Sequence, residues 1–200
     1  MGDKETGAFG QGEAGQIPDE DELVAGVESL TLTPEEHQRL KDIVHGDEFR
    51  QFREYERIYL VCGAGGDSGA ASRRQLVYDL LDSRSFPPTV ATRLEDFGLT
   101  KDEISLWVHL FDKLCAFCSH IVAVIEDFDG GYIWELGLLF APSYRGKVWV
   151  LKRRYTNEAE ERDRYDNGMG ASHVRMLLTG ERAFEWTDER SLEEMVSNIP

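Results

Sequence analysis

The stretch from Ser119 to Leu139 (SHIVAVIEDFDGGYIWELGLL) constrains the chain more than any other. A β-branched run, His120 to Ile125, breaks into an acidic, glycine-containing turn from Glu126 to Gly131. It re-emerges as an apolar helical pattern from Tyr132 to Phe140. A run apolar on both faces is a strand buried between two layers, and the change of period after the turn marks the start of a helix. In α/β proteins the carboxyl ends of the strands are where ligands sit, so Asp127, Asp129 and Glu135 are the first residues to consider.

The rest of the chain repeats this unit. Arg57 to Gly63 (RIYLVCG) is a second buried strand, and a helix follows from Ala70 to Asp82. Thr89 to Leu94 is a short strand after two prolines. Thr100 caps a strong helix whose Ile104, Trp107, Val108, Phe111, Leu114, Cys115 and Cys118 recur at helical spacing. Lys147 to Lys152 is another strand, and Arg153 to Gly170 is read as a long charged loop. Ala171 to Leu178 is a short helix, Ala183 to Trp186 the last strand and Asp188 to Ser197 a closing helix. This alternation predicts an α/β fold: a three-layer α/β/α sandwich with a parallel sheet of about five strands, flavodoxin/Rossmann-like. The domain is expected over residues 57–200. Upstream, Thr33-Pro34-Glu35-Glu36 is a capping-box signature for a helix to about His45, and Asp47 to Glu56 reads as a second helix. These form an N-terminal helical extension over 31–56, and residues 1–30 read as a disordered, acidic, Gly-rich tail.

Asp and Glu number 38 against 22 Lys and Arg, for a formal net charge of −16. Phosphate backbones demand a basic face, so nucleic acid is not an expected partner. The acids are spread along the whole chain, which fits either a halophilic, salt-screened protein or a merely acidic cytoplasmic one. No apolar run reaches the length of a membrane span and the first residues have no signal-peptide core, so a cytoplasmic protein without membrane contact is expected. Three cysteines, Cys62, Cys115 and Cys118, make no even disulfide framework. Cys115 and Cys118 lack the further ligands of a zinc site and sit at a helix end rather than a helix start, so buried core thiols are expected.

Two groups of residues carry possible chemistry. Gly63-Ala64-Gly65-Gly66-Asp67-Ser68-Gly69 joins a strand to a helix, where backbone N–H groups can approach an anion. It spells neither the Walker loop nor the dinucleotide fingerprint, and taken alone it reads as a tight turn rather than a phosphate site. Glu135 is expected in the first turn of its helix, where the partial positive charge favours the anion. Such a carboxylate can act as a nucleophile on a glycosidic carbon, with Asp129 as the acid that protonates the leaving group and Asp127 in reserve. The bland alternative is that Asp129 caps the helix and Glu135 complements its dipole.

Ile58-Tyr59-Leu60 before a Gly-rich turn, and then Asp129-Gly130-Gly131-Tyr132-Ile133-Trp134-Glu135-Leu136-Gly137 after a strand, resembles the nucleoside 2-deoxyribosyltransferase-like superfamily, which includes deoxynucleoside monophosphate N-glycosidases. The resemblance covers roughly Arg57 to Lys152. It implies hydrolysis or transfer at the N-glycosidic bond of a nucleoside or nucleotide, with no cofactor and no metal. It assigns Glu135 as nucleophile, Asp129 as the sugar-contacting or proton-donating acid, and Tyr59 as the phenol that holds the glutamate. Gly63, Gly65, Gly66, Ser68, Arg73, Asp127 and Gly131 are the substrate contacts expected with it, and a homodimer is implied. Two other readings share the layering: a Toll/interleukin-receptor-like NAD-processing domain, and a non-catalytic nucleotide-binding sensor or interaction module.

Overall fold

Five apolar runs become strands: β1 (Arg57–Gly63), β2 (Thr89–Thr92), β3 (His120–Ile125), β4 (Val148–Arg153) and β5 (Ala183–Trp186). In the computed structural model, which describes residues 32–129 and 132–200, all neighbouring strands pair in parallel, in the order β2-β1-β3-β4-β5. The helices are α1 (Pro34–Val44), α2 (Asp47–Phe52), α3 (Gly69–Asp82), α4 (Ile104–Phe117), α5 (Tyr132–Leu139), α6 (Glu158–Arg164), α7 (Gly168–Thr179) and α8 (Glu189–Val196). This is the expected α/β, Rossmann-like sandwich. The strand order reverses between β1 and β3, which opens a crevice at their carboxyl ends.

The parity of β1 divides the core. Ile58, Leu60 and Cys62 pack with α1, α2, α4, α5 and α7, whereas Tyr59 and Val61 pack with Val77 and Leu81 of α3 and Leu192 and Val196 of α8. The capping box at Thr33 forms as the sequence predicts, with the Glu36 carboxylate accepting the Thr33 N–H at 2.8 Å. Helices α1 and α2 are more than an extension, because Leu40, Val44 and Phe49 are buried in the same cluster as β1 and β3. The proposed tail, residues 1–30, lies outside the described residues.

Three local expectations change. Residues 153–170 are not one loop. Asn157 accepts hydrogen bonds from the Ala159 and Glu160 N–H groups and starts α6, and Asn167 starts α7 in the same way. The buried face of α4 is Leu106, Leu110, Phe111, Leu114 and Cys115, while Ile104 and Val108 are exposed. Ser105, His109, Asp112 and Lys113 mark its polar side, and Ile104 and Val108 border that side rather than the core. Helix α2 ends at Phe52 rather than Glu56. Cys115 and Cys118 are free thiols buried in the core, as expected, and burial pushes the Cys118 thiol up to about 12.

Candidate active site

The crevice begins at Gly63. Its φ of +145° is unfavourable for other residues, and a Cβ there would stand 2.6 Å from the Val124 carbonyl oxygen of β3 and 3.3 Å from Cδ of Arg74. Glycine thus lets β1 and β3 pair to their carboxyl ends and leaves room for the Arg74 side chain against Gly63. The turn continues through Gly65 and Gly66, both exposed, the second at φ +79°. The Ser68 hydroxyl accepts the Ala71 N–H at 3.2 Å and caps α3.

Glu135 lies one turn into α5 and faces a narrow cleft with Cys62, Gly63, Ala123, Leu136 and Leu139. The sequence expectation was an anion favoured by the helix start. Instead, burial among these apolar walls raises the carboxyl to about 7, with Arg74 pulling it down and Glu95 pushing it up. Glu135 does lie in the first turn of α5, and desolvation by its apolar surroundings is the larger effect on its carboxyl. Arg74 is 8% exposed, is ion-paired with Glu95, and keeps its Nε–H without a hydrogen-bond partner. The cleft therefore holds a carboxyl poised near neutrality beside a buried guanidinium with an unused donor. It is too narrow for a sugar, so a ligand that reaches Glu135 must rest above the strand ends.

A second cluster stands at the end of β3. The Glu126 carboxylate, 7% exposed as a residue, accepts from Nε and Nη2 of Arg73, each at 2.6 Å, and from Nη1 of Arg153 at 2.6 Å. Burial alone would raise the Glu126 carboxyl, but the two arginines outweigh it and hold it below its ordinary value. Both guanidinium groups also lie over the buried Trp186 ring, at 5.8 and 5.5 Å from its centroid. Tyr155 donates its hydroxyl to the Glu126 carbonyl at 2.8 Å, and α3, β3, β4 and β5 are thereby tied at one edge.

No protein-family model, curated protein or solved structure matches the chain.

Of the residues expected in the site, Glu135 and Gly63 meet at the crevice. Tyr59 does not join them. Odd positions of β1 face the opposite layer, and Tyr59 is fully buried there, stacked on His120 at 5.1 Å. Its hydroxyl donates to the Pro200 carbonyl oxygen and accepts from Arg84 at 3.0 Å. Arg73 is engaged with Glu126 rather than offered whole to a phosphate, and Ser68 serves the helix cap. Asp127 accepts the Asp129 N–H at 3.0 Å and lies 4.0 Å from Arg164, while the Asp129 residue is exposed. Gly131 lies outside the described residues. Glu95 and Glu126 were not anticipated, whereas Arg74 was expected beside Arg73 as a phosphate contact and instead pairs with Glu95. The adjacent Arg73-Arg74 pair was the available signal, since neighbours on a helix point about 100° apart and cannot share one role.

Proposed function

We propose that this chain cleaves or transfers at the N-glycosidic bond of a nucleoside or nucleotide, with Glu135 as the group that reacts. The observation that carries the reading is the buried Glu135 carboxyl with its proton affinity raised to about 7, at the switch point between β1 and β3. A carboxylate with little hydration is a strong nucleophile and a good neighbour for the positive charge of an oxocarbenium-like transition state. The ionised Glu135 attacks the anomeric carbon as the bond to the base nitrogen breaks, and the electron pair leaves with the base. The departing base takes a proton, for which Asp129 on the loop entering α5 is the candidate donor. Water, or a second base in a transferase, then attacks the anomeric carbon of the glycosyl ester and returns Glu135 as a carboxylate.

Arg74 supports the same reading. Its charge favours the ionised form of Glu135, the form that attacks. The engagement of Arg73 with Glu126 weighs towards a nucleoside over a monophosphate. The test is release of free base, followed by chromatography, from deoxynucleosides, deoxynucleoside monophosphates and NAD, each at low and high salt. Base release by the wild type and its loss in Glu135→Gln support the proposal. Release from none of the three substrate classes, or equal release by the variant, refutes it.

A further inference from the structure

The carboxyl ends of β4 and β5 carry a cavity that the Glu135 chemistry does not use. The Arg154 N–H donates to the Trp186 carbonyl oxygen at 2.7 Å, so the chain leaves the two strands side by side, with Arg154 following β4 and Thr187 following β5. A cavity of about 640 Å³ lies there, bounded from the strand ends by Arg154, Thr156 and Thr187 and from α6 by Glu158 and Arg162. It shares no lining residue with the cleft of Glu135. Other arginines of this region are committed to acids: Arg73 and Arg153 to Glu126, and Arg164 to Glu160. Arg154 and Arg162 are exposed, and among the described residues neither guanidinium has an ion-pair or hydrogen-bond partner. The Glu161 carboxylate, which also borders the cavity, accepts from Lys152 Nζ and from the Tyr155 N–H instead. Glu158 and Arg162 stand four apart on α6, a spacing at which such residues can pair, and they do not. The Thr156 hydroxyl is likewise without a partner among the described residues, and the Thr187 hydroxyl has a 3.4 Å contact with Ser191 Oγ.

The geometry points to a binding site for a phosphorylated sugar in this cavity. Two unpaired guanidinium groups lining one cavity, in a chain of net charge −16, are an oxyanion's donors held ready. Each guanidinium can give two parallel N–H bonds to an oxyanion, and the Thr156 and Thr187 hydroxyls add donors beside them. A phosphate monoester offers three terminal oxygens to these four groups, whereas a carboxylate offers two. Glu158 decides what the phosphate is attached to. A bare anion would leave this carboxylate facing it, whereas a sugar presents hydroxyl groups that donate to it. The size is within the range that encloses small ligands, and the carboxyl ends of parallel strands are where such ligands rest. The inference stands whether or not Glu135 reacts with a glycosidic bond, because the two sites have no residue in common.

Isothermal titration calorimetry of the full chain with glucose 6-phosphate, glucose and inorganic phosphate, at fixed pH and about 0.1 M salt, reads the site directly. Glucose 6-phosphate is expected to bind with a Kd of about 1 mM or tighter, inorganic phosphate to compete for the same site about 10-fold more weakly, and glucose not to bind. Arg154→Ala and Arg162→Ala should each weaken glucose 6-phosphate by about 10-fold or more, since each removes charge-assisted hydrogen bonds. Glu135→Gln should leave its affinity unchanged. Circular dichroism verifies that each variant is folded. Absence of binding at about 10 mM overturns the inference. So does binding that survives both arginine changes, or that is lost in Glu135→Gln and so belongs to the other cleft. Glucose or inorganic phosphate binding as tightly as glucose 6-phosphate overturns it too.

Discussion

Replacing Glu135 by glutamine is expected to stabilise the protein, by an amount that grows with pH. The unfolded chain releases the Glu135 proton near the ordinary 4.5, whereas the folded protein holds it up to about 7. Between these values the folded state binds more protons than the unfolded one, so this group's contribution to stability falls as pH rises from 4.5 and levels off above about 7. An elevation of that size corresponds to about 3 kcal/mol of destabilisation at alkaline pH, and to less than about 1 kcal/mol at pH 5. Glutamine keeps the shape and has no proton to lose. The gap between Glu135→Gln and wild type should therefore widen by about 2–3 kcal/mol from pH 5 to pH 8.5, or about 5–10 °C in Tm for a domain of this size. Urea denaturation of both proteins at fixed salt measures it, and taking the difference removes other titrating groups. If the two stabilities run parallel across this range, Glu135 is solvated and ordinary, and the reading of the cleft fails.

Three further outcomes follow from the same structure. Burial, with Arg57, Arg84 and Lys147 nearby, lowers the His120 imidazole to about 4, so the unfolded chain takes up a proton first as pH falls; His120→Gln should lose about 2–3 kcal/mol less stability than wild type between pH 6.5 and pH 4, read by urea denaturation. Glu126→Gln leaves two guanidinium groups without their anion and should cost about 3–5 kcal/mol, measured as a lower denaturation midpoint with unchanged slope. Tyr59→Phe removes the hydroxyl shared by Arg84 and the Pro200 carbonyl, and should cost about 1 kcal/mol while leaving base release unchanged, since Tyr59 lies on the far side of the sheet.

The parts legible in the sequence were those whose signal is local. Strands β1, β3 and β5 have the predicted bounds, because a short run of β-branched or aromatic residues has few other ways to be buried. The Thr33 cap and the Asp188 helix start were legible because a short polar side chain before a helical pattern has one local use. Helix α6 was missed because it has no buried face at all. Its signals were the Asn157 cap, acids in the first turn and arginines in the last. Tyr59 was misplaced because β1 is apolar at every position from Ile58 to Cys62. Only the packing of α3 against odd positions and of α5 against even ones decides which residue meets Glu135. Glu126 was hidden for a related reason: its partners Arg73 and Arg153 lie on separate elements, and nothing local announces that three such residues converge.

The Glu126 cluster also bears on how the chain answers its solvent. The acids on the outside repel one another less as ions accumulate around them, so the outer layer of this protein is responsive to salinity. The carboxylate that joins α3, β3 and β4 above the Trp186 ring is shut away from those ions. Counterions screen it much less than they screen the exposed pairs, so a change of ionic strength acts mainly on the charged exterior and only weakly on the ties at the strand ends.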